Sequence, residues 1–160
     1  MAQSEPASGE VMSEQPTAQV RLERIYLKDA SWESPKSPGI FAENWTPEVQ
    51  ADINTRSNRV EETRFEVVLT IGLKAKLGEE ATAFIVEVQQ AGLFAIEGVE
   101  GETLRRVLGT LCPTTLYPYA REAIDNLTLK GGFPALHLAP VNFEALYAEA
   151  VRQQEQQTAH

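Results

Sequence analysis

The chain has 160 residues, of which 42% are hydrophobic and 23% charged, so its composition is that of a soluble globular protein with one core. Its 14 basic and 23 acidic residues give a formal net charge of −9, which argues against nucleic-acid binding because that requires a basic face. A single cysteine excludes an internal disulfide and fits a reducing compartment. Neither a signal peptide nor an apolar run of about 18 residues appears, so we expect a cytoplasmic protein that does not insert into a membrane.

The two ends of the chain are polar. Residues 1–18 are rich in Ser, Glu, Gln, Pro and Ala, and residues 153–160 are rich in Gln. Segments with so little apolar surface cannot offset the entropy lost on ordering. We therefore expect disordered tails at 1–18 and 153–160 around a single folded domain of residues 19–152.

The first strand is predicted from Val20 to Asp29. Val20 and Leu22 share one alternating phase, whereas Ile25 and Leu27 share the other. A change of phase by one residue indicates a β-bulge or a local twist.

An irregular segment follows at residues 30–47, interrupted by three prolines and a glycine. Large aromatic side chains on a loop either cover an apolar surface or remain exposed as a contact surface. The three in this segment are Trp32, Phe41 and Trp45. The alternation from Val49 to Thr55 then predicts a short strand.

The clearest strand runs from Phe65 to Leu77, where every second residue is apolar. The turn of residues 77–80 predicts a hairpin into a further strand that contains Thr82 to Val88. Sequential strands joined by short links pair antiparallel.

Helical spacing begins after Gly101. The first apolar stripe contains Leu104, Val107, Leu108 and Leu111, and Pro113 is expected to end it. The second is Leu116, Ala120, Ala123 and Leu127, with Pro118 in the first turn or at a kink and Gly131 as C-cap. Asn142 is the expected N-cap of a last helix whose apolar face contains Phe143, Leu146, Tyr147, Ala150 and Val151. Strands followed by helices predict an α+β fold, a four-stranded antiparallel sheet packed with C-terminal helices.

Groups that would run a reaction are scarce. Cys112 and His137 are the Cys/His candidates within the folded part, and we expect Cys112 to be a buried helix-end residue and His137 a surface or packed residue. The Gly98–Gly101 segment fits neither a P-loop nor a dinucleotide fingerprint, and too few Cys and His residues exist for a zinc site. We therefore expect a binding protein without a metal or cofactor, and not an enzyme.

Three segments resemble one family in their amino-acid sequence and in their order along the chain. They are IYLKDASWESPKSPGIF, LGEEATAFIVEVQQAGLFAIEGVE and CPTTLYPYAREAIDNLTLKGGFPALHLAPVNFEALY. The resemblance is to the SecB family of bacterial protein-export chaperones, and it runs from about residue 22 to about residue 151.

This resemblance implies a cytoplasmic homotetramer, a dimer of dimers with its helices between two antiparallel sheets. It implies an ATP-independent holdase that binds unfolded precursor proteins and delivers them to SecA, the translocation ATPase. No cofactor is implied.

The resemblance also implies a SecA-binding surface. The matching positions are Asp29 and Glu33 in the first segment and Leu77 and Glu79 in the second. Acidic residues on a sheet surface can orient a basic peptide, here the zinc-bearing C-terminal tail of SecA, and the zinc belongs to that partner. Taken singly, each acid would be read as a solvated surface charge.

A client groove is implied as well, lined by apolar side chains from several segments. Its expected members are Trp32, Phe41, Trp45, Val49, Ile53, Phe133, Pro134, Leu136, Phe143 and Leu146. Phe143 and Leu146 have core packing as the alternative. Ala51 is small for its place beside the groove, so that subsite is expected to be shallow.

Two other functions stay open. A SecB-like chaperone dedicated to one partner, such as an antitoxin, would carry a partner-specific C-terminal extension. An enzyme with a small-molecule pocket would lose its turnover when Cys112 or His137 is changed.

Overall fold

The computed structural model describes residues 17–159, so the predicted N-terminal tail lies outside the described residues except for its last two positions. The strands are β1 (Gln19–Glu33), β2 (Glu48–Arg59), β3 (Arg64–Leu77) and β4 (Ala81–Glu97). A 3-10 helix (Gly39–Ala42) follows β1, and the helices are α1 (Gly101–Gly109), α2 (Leu111–Lys130) and α3 (Phe143–Thr158). The strands form one antiparallel sheet in the order β1-β4-β3-β2, which confirms the predicted α+β fold.

The core lies on one face of the two central strands. Alternate residues of β3, from Phe65 to Ala75, are almost fully buried, and their register partners on β4, such as Val86 and Val88, point to the same side. Helix α2 packs on this face, hereafter the helix face, and buries Leu116 among the strands. The alternation that predicted β3 is therefore the alternation of burial.

Strand β1 is longer than predicted. Its register against β4 shifts between Leu22 and Arg24 and again between Leu27 and Asp29, which confirms the predicted bulge and adds a second. The strand then continues to Glu33, so the expectation that Trp32 lies in a loop was wrong. The reason is non-local, because β4 has 17 residues and still offers a partner at that end of β1.

The boundary between α1 and α2 also differs from the prediction. Helix α1 ends at Gly109, before Pro113, and Pro113 lies in the first turn of α2, where its missing N–H costs little. Cys112 is buried as expected, but at the beginning of a helix and not at its end. Pro118 lies inside α2, and Gly131 is its C-cap as predicted.

Helix α3 begins as predicted, with Asn142 as N-cap accepting a hydrogen bond from the Ala145 N–H at 3.1 Å. It continues to Thr158, which corrects the prediction of a disordered tail at 153–160, since residues 153–158 are helical. Gln, Glu and Arg are good helix formers, and extending a helix is far easier than nucleating one. Within residues 17–159, no helix is long and apolar enough to cross a membrane.

A polar clamp joins β1 to β3 on the face opposite the helices, hereafter the outer face. The Tyr26 hydroxyl donates to Glu66, and Lys28 Nζ donates to the same carboxylate at 2.8 and 3.0 Å. These side chains reach across β4 above the small residue Ala91, which pairs with Tyr26 on one side and with Val68 on the other. The hydrogen bonds from Lys28 and Tyr26 lower the pKa of Glu66, and burial, with the bond to Glu66, raises the pKa of Tyr26 to about 12.

Glu66→Gln should lower the free energy of unfolding by about 1–2 kcal/mol at pH 7, because it removes the charge that Lys28 and Tyr26 bond to. Since the pKa of Glu66 is lowered in the folded state, this stabilisation is present above the pKa of the unfolded chain and is lost as the pH falls through the folded pKa. Urea unfolding at pH 7 and pH 3 checks this, and an equal difference between the two proteins at both pH values would contradict it.

Candidate functional site

Five aromatic rings form a cluster at one end of the helix face. Phe133 lies at its centre, with its ring centroid 5.1 Å from those of Phe41 and Trp45 and 5.2 Å from that of Phe84. Trp32 stacks on Phe84 at 4.8 Å. Offset and tilted contacts of this kind are the favoured geometries for aromatic pairs.

The rings of this aromatic cluster come from distant parts of the chain. Trp32 is the second-last residue of β1, Phe84 lies near the start of β4, and Phe133 is in the loop after α2. Phe133 is 4% exposed, whereas Phe41, on the 3-10 helix, is 51% exposed. The cluster therefore has a buried base and an open apolar top.

Phe84 belongs to this cluster but was not among the predicted groove residues. Its place in an alternating strand indicates only that it is buried. Recognising it as a neighbour of Trp32 requires the pairing of β1 with β4, which no local pattern contains.

A cleft of about 390 Å³ lies between β2 and the helices α1 and α3. Ile53 lines its strand side, Leu108 comes from α1, and Phe143 and Leu146 come from α3. Phe143 is buried at 3% and meets Tyr117 edge-on, so it is a core residue that forms the cleft floor. Leu146 is 47% exposed and forms a wall, which separates the roles of two residues that sequence left undecided.

The helix face of β2 connects the aromatic cluster with the cleft. Val49 and Ala51 lie on this face between Trp45 and Ile53, and both are exposed. Of the remaining predicted groove residues, Pro134 is exposed and Leu136 is half-buried against the core. The structure thus places an apolar track along the edge of the sheet, open to the outside.

The residues of the other predicted surface are divided between the outer face and the β3–β4 turn. Asp29 and Glu33 are exposed on the outer face, where they pair with Gln89 and Ile85 of β4. Glu79 is exposed in the β3–β4 turn. These acids therefore stand toward the same end of the sheet.

Leu77 and Glu87 lie toward the same end of the sheet. Leu77 ends β3, is half-buried and packs against the core, and Gly78 after it takes the left-handed φ of 76° that the predicted hairpin turn requires. Glu87 was not among the predicted surface residues. It points to the outer face in register with Ser31 and Gly72. The sequence signal for it was its position in the polar phase of β4.

Cys112 and His137 do not form a reactive pair. Burial raises the pKa of the Cys112 thiol to about 12, so it stays protonated at neutral pH and packs in the core. His137 is exposed, with Nδ1 at 3.9 Å from Asp125 Oδ2.

Comparison with known proteins identifies close relatives of this chain. A family model described as "Preprotein translocase subunit SecB" matches residues 13–154. The protein-export protein SecB of Marinobacter nauticus is 50% identical over 159 residues, which cover 99% of this chain and 94% of the relative. That of Hahella chejuensis is 54% identical over 138 residues, 86% of each chain.

The solved structures include a fold neighbour. It is a SecB-like chaperone of Mycobacterium tuberculosis in complex with a ChAD peptide from an antitoxin, with a TM-score of 0.62 over 77% of this chain and 91% of that chain. At 21% sequence identity, this likeness shows a shared fold.

Phe133→Ala should lower the free energy of unfolding by about 3 kcal/mol, because it removes the buried centre of the aromatic cluster. Phe41→Ala should cost less than about 1 kcal/mol, because half of that side chain is already exposed. Denaturant unfolding followed by tryptophan fluorescence checks both, since the two tryptophans of the chain lie in the cluster. Equal losses would mean that Phe41 is a core residue.

Proposed function

The chain belongs to the SecB family of protein-export chaperones, and from this premise we propose that it is a cytoplasmic holdase that keeps unfolded precursors competent for translocation and delivers them to SecA. The family is one of chaperones and not of enzymes. The observation that carries the proposal is the open apolar track along β2, bounded by the aromatic cluster and the cleft. The track offers surface for binding, whereas Cys112 and His137 do not form a catalytic pair.

Apolar burial supplies the affinity for the client. The large exposed hydrophobic side chains along the track and at its two ends are Phe41, Val49 and Leu146, at 51%, 37% and 47% exposure. Each Å² of apolar surface removed from water contributes roughly 25 cal/mol, without regard to direction or sequence. Such a surface accepts many different unfolded segments, which is what a chaperone with a broad range of clients requires.

Backbone pairing at the free edge of β2 supports the same function. Strand β2 is the last strand of the sheet, runs for 12 residues without a register shift, and contains neither Pro nor Lys. Edge strands that avoid further pairing are usually short, bulged or marked by Lys and Pro. An extended client can therefore add as a strand beside the track, with hydrogen bonds that do not depend on its sequence.

The proposed docking surface for SecA combines Asp29 and Glu33 on the outer face with Leu77 and Glu79 at the β3–β4 turn. Its exposed acids suit a basic, zinc-bearing tail, because complementary charge steers encounter and sets orientation. None of these acids lines the client track, so both partners can be bound at the same time. In this proposal the chain does not hydrolyse ATP, and release follows when SecA takes the client.

A homotetramer, arranged as a dimer of dimers, completes the proposal. Four chains would carry a formal charge of −36, which keeps a particle with exposed apolar tracks in solution. Several tracks on one particle would also bind one long client together, so weak contacts add to a strong overall affinity.

The alternatives have less support. The antitoxin-related chaperone is 21% identical to this chain, whereas the relatives named as protein-export proteins are 50–54% identical over most of it. These identities therefore favour a protein-export chaperone over a chaperone dedicated to one partner. An enzyme would need a reactive group, and the buried Cys112 thiol does not supply one.

The chain should suppress aggregation of a denatured precursor in the absence of ATP, with a mass in solution of about four chains. Phe41→Ala should weaken this suppression several-fold, since it removes a half-exposed aromatic ring from the top of the cluster. Val60→Ala is the matched control, because Val60 is 49% exposed at the distant β2–β3 turn. A monomer that leaves aggregation unchanged would refute the proposal, and equal effects of the two variants would refute the assigned track.

Asp29→Ala combined with Glu79→Ala should weaken binding of the SecA tail about tenfold or more and leave client affinity unchanged, because neither acid lines the client track. Glu61→Ala combined with Glu62→Ala removes the same charge at the far end of the sheet and should have a small effect. Titration calorimetry with the zinc-loaded tail peptide measures both. A parallel loss of client binding would mean that the surfaces are not separate.

A further inference from the structure

Another cleft lies at the end of β2 that is remote from the aromatic cluster. It measures about 540 Å³ and lies between the β2–β3 turn, the β4–α1 loop and α1, and is hereafter the end cleft. Phe65 and Ile96, each 4% exposed, form its floor, and Val99 and Leu104 pack against the core as apolar walls. Its volume lies within the range of ligand sites in proteins.

The rim of the end cleft is acidic. Glu62, Glu97 and Glu100 line it, and all three are exposed. Among the ion pairs of residues 17–159, none includes these carboxylates. The basic residue of the lining, Arg59, lies over the Phe65 ring at 4.6 Å and donates to the carbonyl of Glu62. Three carboxylates against one guanidinium leave the rim negative beside an apolar floor.

The end cleft continues the proposed client track. On the helix face of β2, Ser57 lines the cleft between β2 and α3, and Arg59, the next residue on that face, lines the end cleft. Helix α1 borders both, since Arg105 lines the first and Leu104 lines the second. A client that adds as a strand along β2 therefore comes to the end cleft without leaving the edge of the sheet.

We infer that the end cleft is a further client subsite, one that takes a lysine or arginine beside an apolar residue. This inference rests on the proposed function and adds a substrate preference to it. The apolar residue contacts the floor formed by Phe65 and Ile96, and the cationic group lies among the carboxylates of the rim, where opposite charge favours it. A segment without a basic residue keeps the apolar contact and loses the charge pairing.

Strand geometry sets the place of the basic residue in the client. Val49, near the start of β2, and Arg59, at its end, are ten residues apart, a span of about 33 Å in a strand. A client strand paired with β2 advances at the same rate. Its basic residue should therefore lie about ten residues from the apolar residue that contacts Val49, and an even separation of this kind places both on one face.

The N-terminal residues of the chain itself suit the end cleft less well. The described chain begins beside it, since a Cβ at Gly98, which lines the cleft, would stand 3.0 Å from the carbonyl oxygen of Thr17. Residues 1–16 contain three glutamates and neither lysine nor arginine. Like charges repel, so the acidic rim favours a basic segment of another chain.

Synthetic client peptides test the subsite by titration calorimetry. The probe is an unstructured peptide with a Phe-Leu pair near one end and a Leu-Lys pair about ten residues away. In one comparison peptide Lys is replaced by Gln, and in the other it stands next to the Phe-Leu pair. The probe should bind the wild-type chain about threefold more tightly than either, and high salt should reduce the difference.

Two double variants locate the charge preference. Glu97→Gln with Glu100→Gln keeps the shape of the end cleft, so it should remove most of the preference for lysine and leave the affinity for the glutamine peptide unchanged. Glu80→Gln with Glu155→Gln is the matched control, since both residues are exposed and neither lines the end cleft. It removes the same two negative charges and should retain the preference.

A photoreactive residue in the probe reports where the peptide lies. With benzoylphenylalanine in place of the Leu next to Lys, cross-links should form to residues 96–104, and mass spectrometry of the digested product identifies them. Cross-links confined to other parts of the chain would refute the subsite. So would the absence of cross-links because a second copy of the chain covers the cleft.

The outcomes separate this inference from the function beneath it. If the three peptides bind equally well, there is no basic subsite and the holdase function stands. If the lysine preference survives in the Glu97 and Glu100 variant, or is lost equally in the control, it comes from the overall charge of the chain and the inference is refuted. Binding of neither the peptides nor a denatured precursor would refute the proposed function itself.

Discussion

The structure depends on one constraint, the burial of alternate residues of β3 and β4 beneath α2. Val67, Leu69 and Ile71 are fully buried on this side, and their partners on β4 complete the layer. Because a strand turns successive side chains to opposite faces, this burial also decides what lies on the outer face. Both proposed surfaces follow from it, since one is the uncovered margin of the helix face and the other is the polar phase of the same sheet.

The helices cover only part of the helix face, and the apolar track lies on the part that they leave open. Helix α2 packs on the central strands, while α3 is held by α1 and α2. Tyr147 donates to Glu102 at 2.6 Å, and Arg106 pairs with Glu144 at 3.0 Å. The edge strand β2 is left with exposed apolar residues beside these elements. An incomplete layer leaves apolar surface exposed, and in the proposed function this surface binds unfolded chains.

In the proposed function, the side chains of the aromatic cluster serve both the stability of the fold and the binding of clients. Its base, Phe84 and Phe133, is as buried as the core, whereas Phe41 is half open. A rigid base limits the entropy that the open rings lose when a client binds. Phe133, in the loop after α2, contacts Trp32 of β1, so the cluster joins the first strand to the second helix.

Local patterns in the sequence determined the kinds of elements, the hairpin at Gly78, the bulge in β1, the cap at Asn142 and the scarcity of reactive groups. Alternation, helical spacing and capping depend on residues a few positions apart, so they can be read without the fold. Only the tertiary structure decided that Trp32 lies in a strand, that Phe84 belongs to the cluster, and that most of the predicted groove residues lie in the aromatic cluster, in the cleft or on the part of β2 between them. Those facts depend on strand order and register, which bring residues some 50 to 100 positions apart into contact, and no local pattern records such pairings.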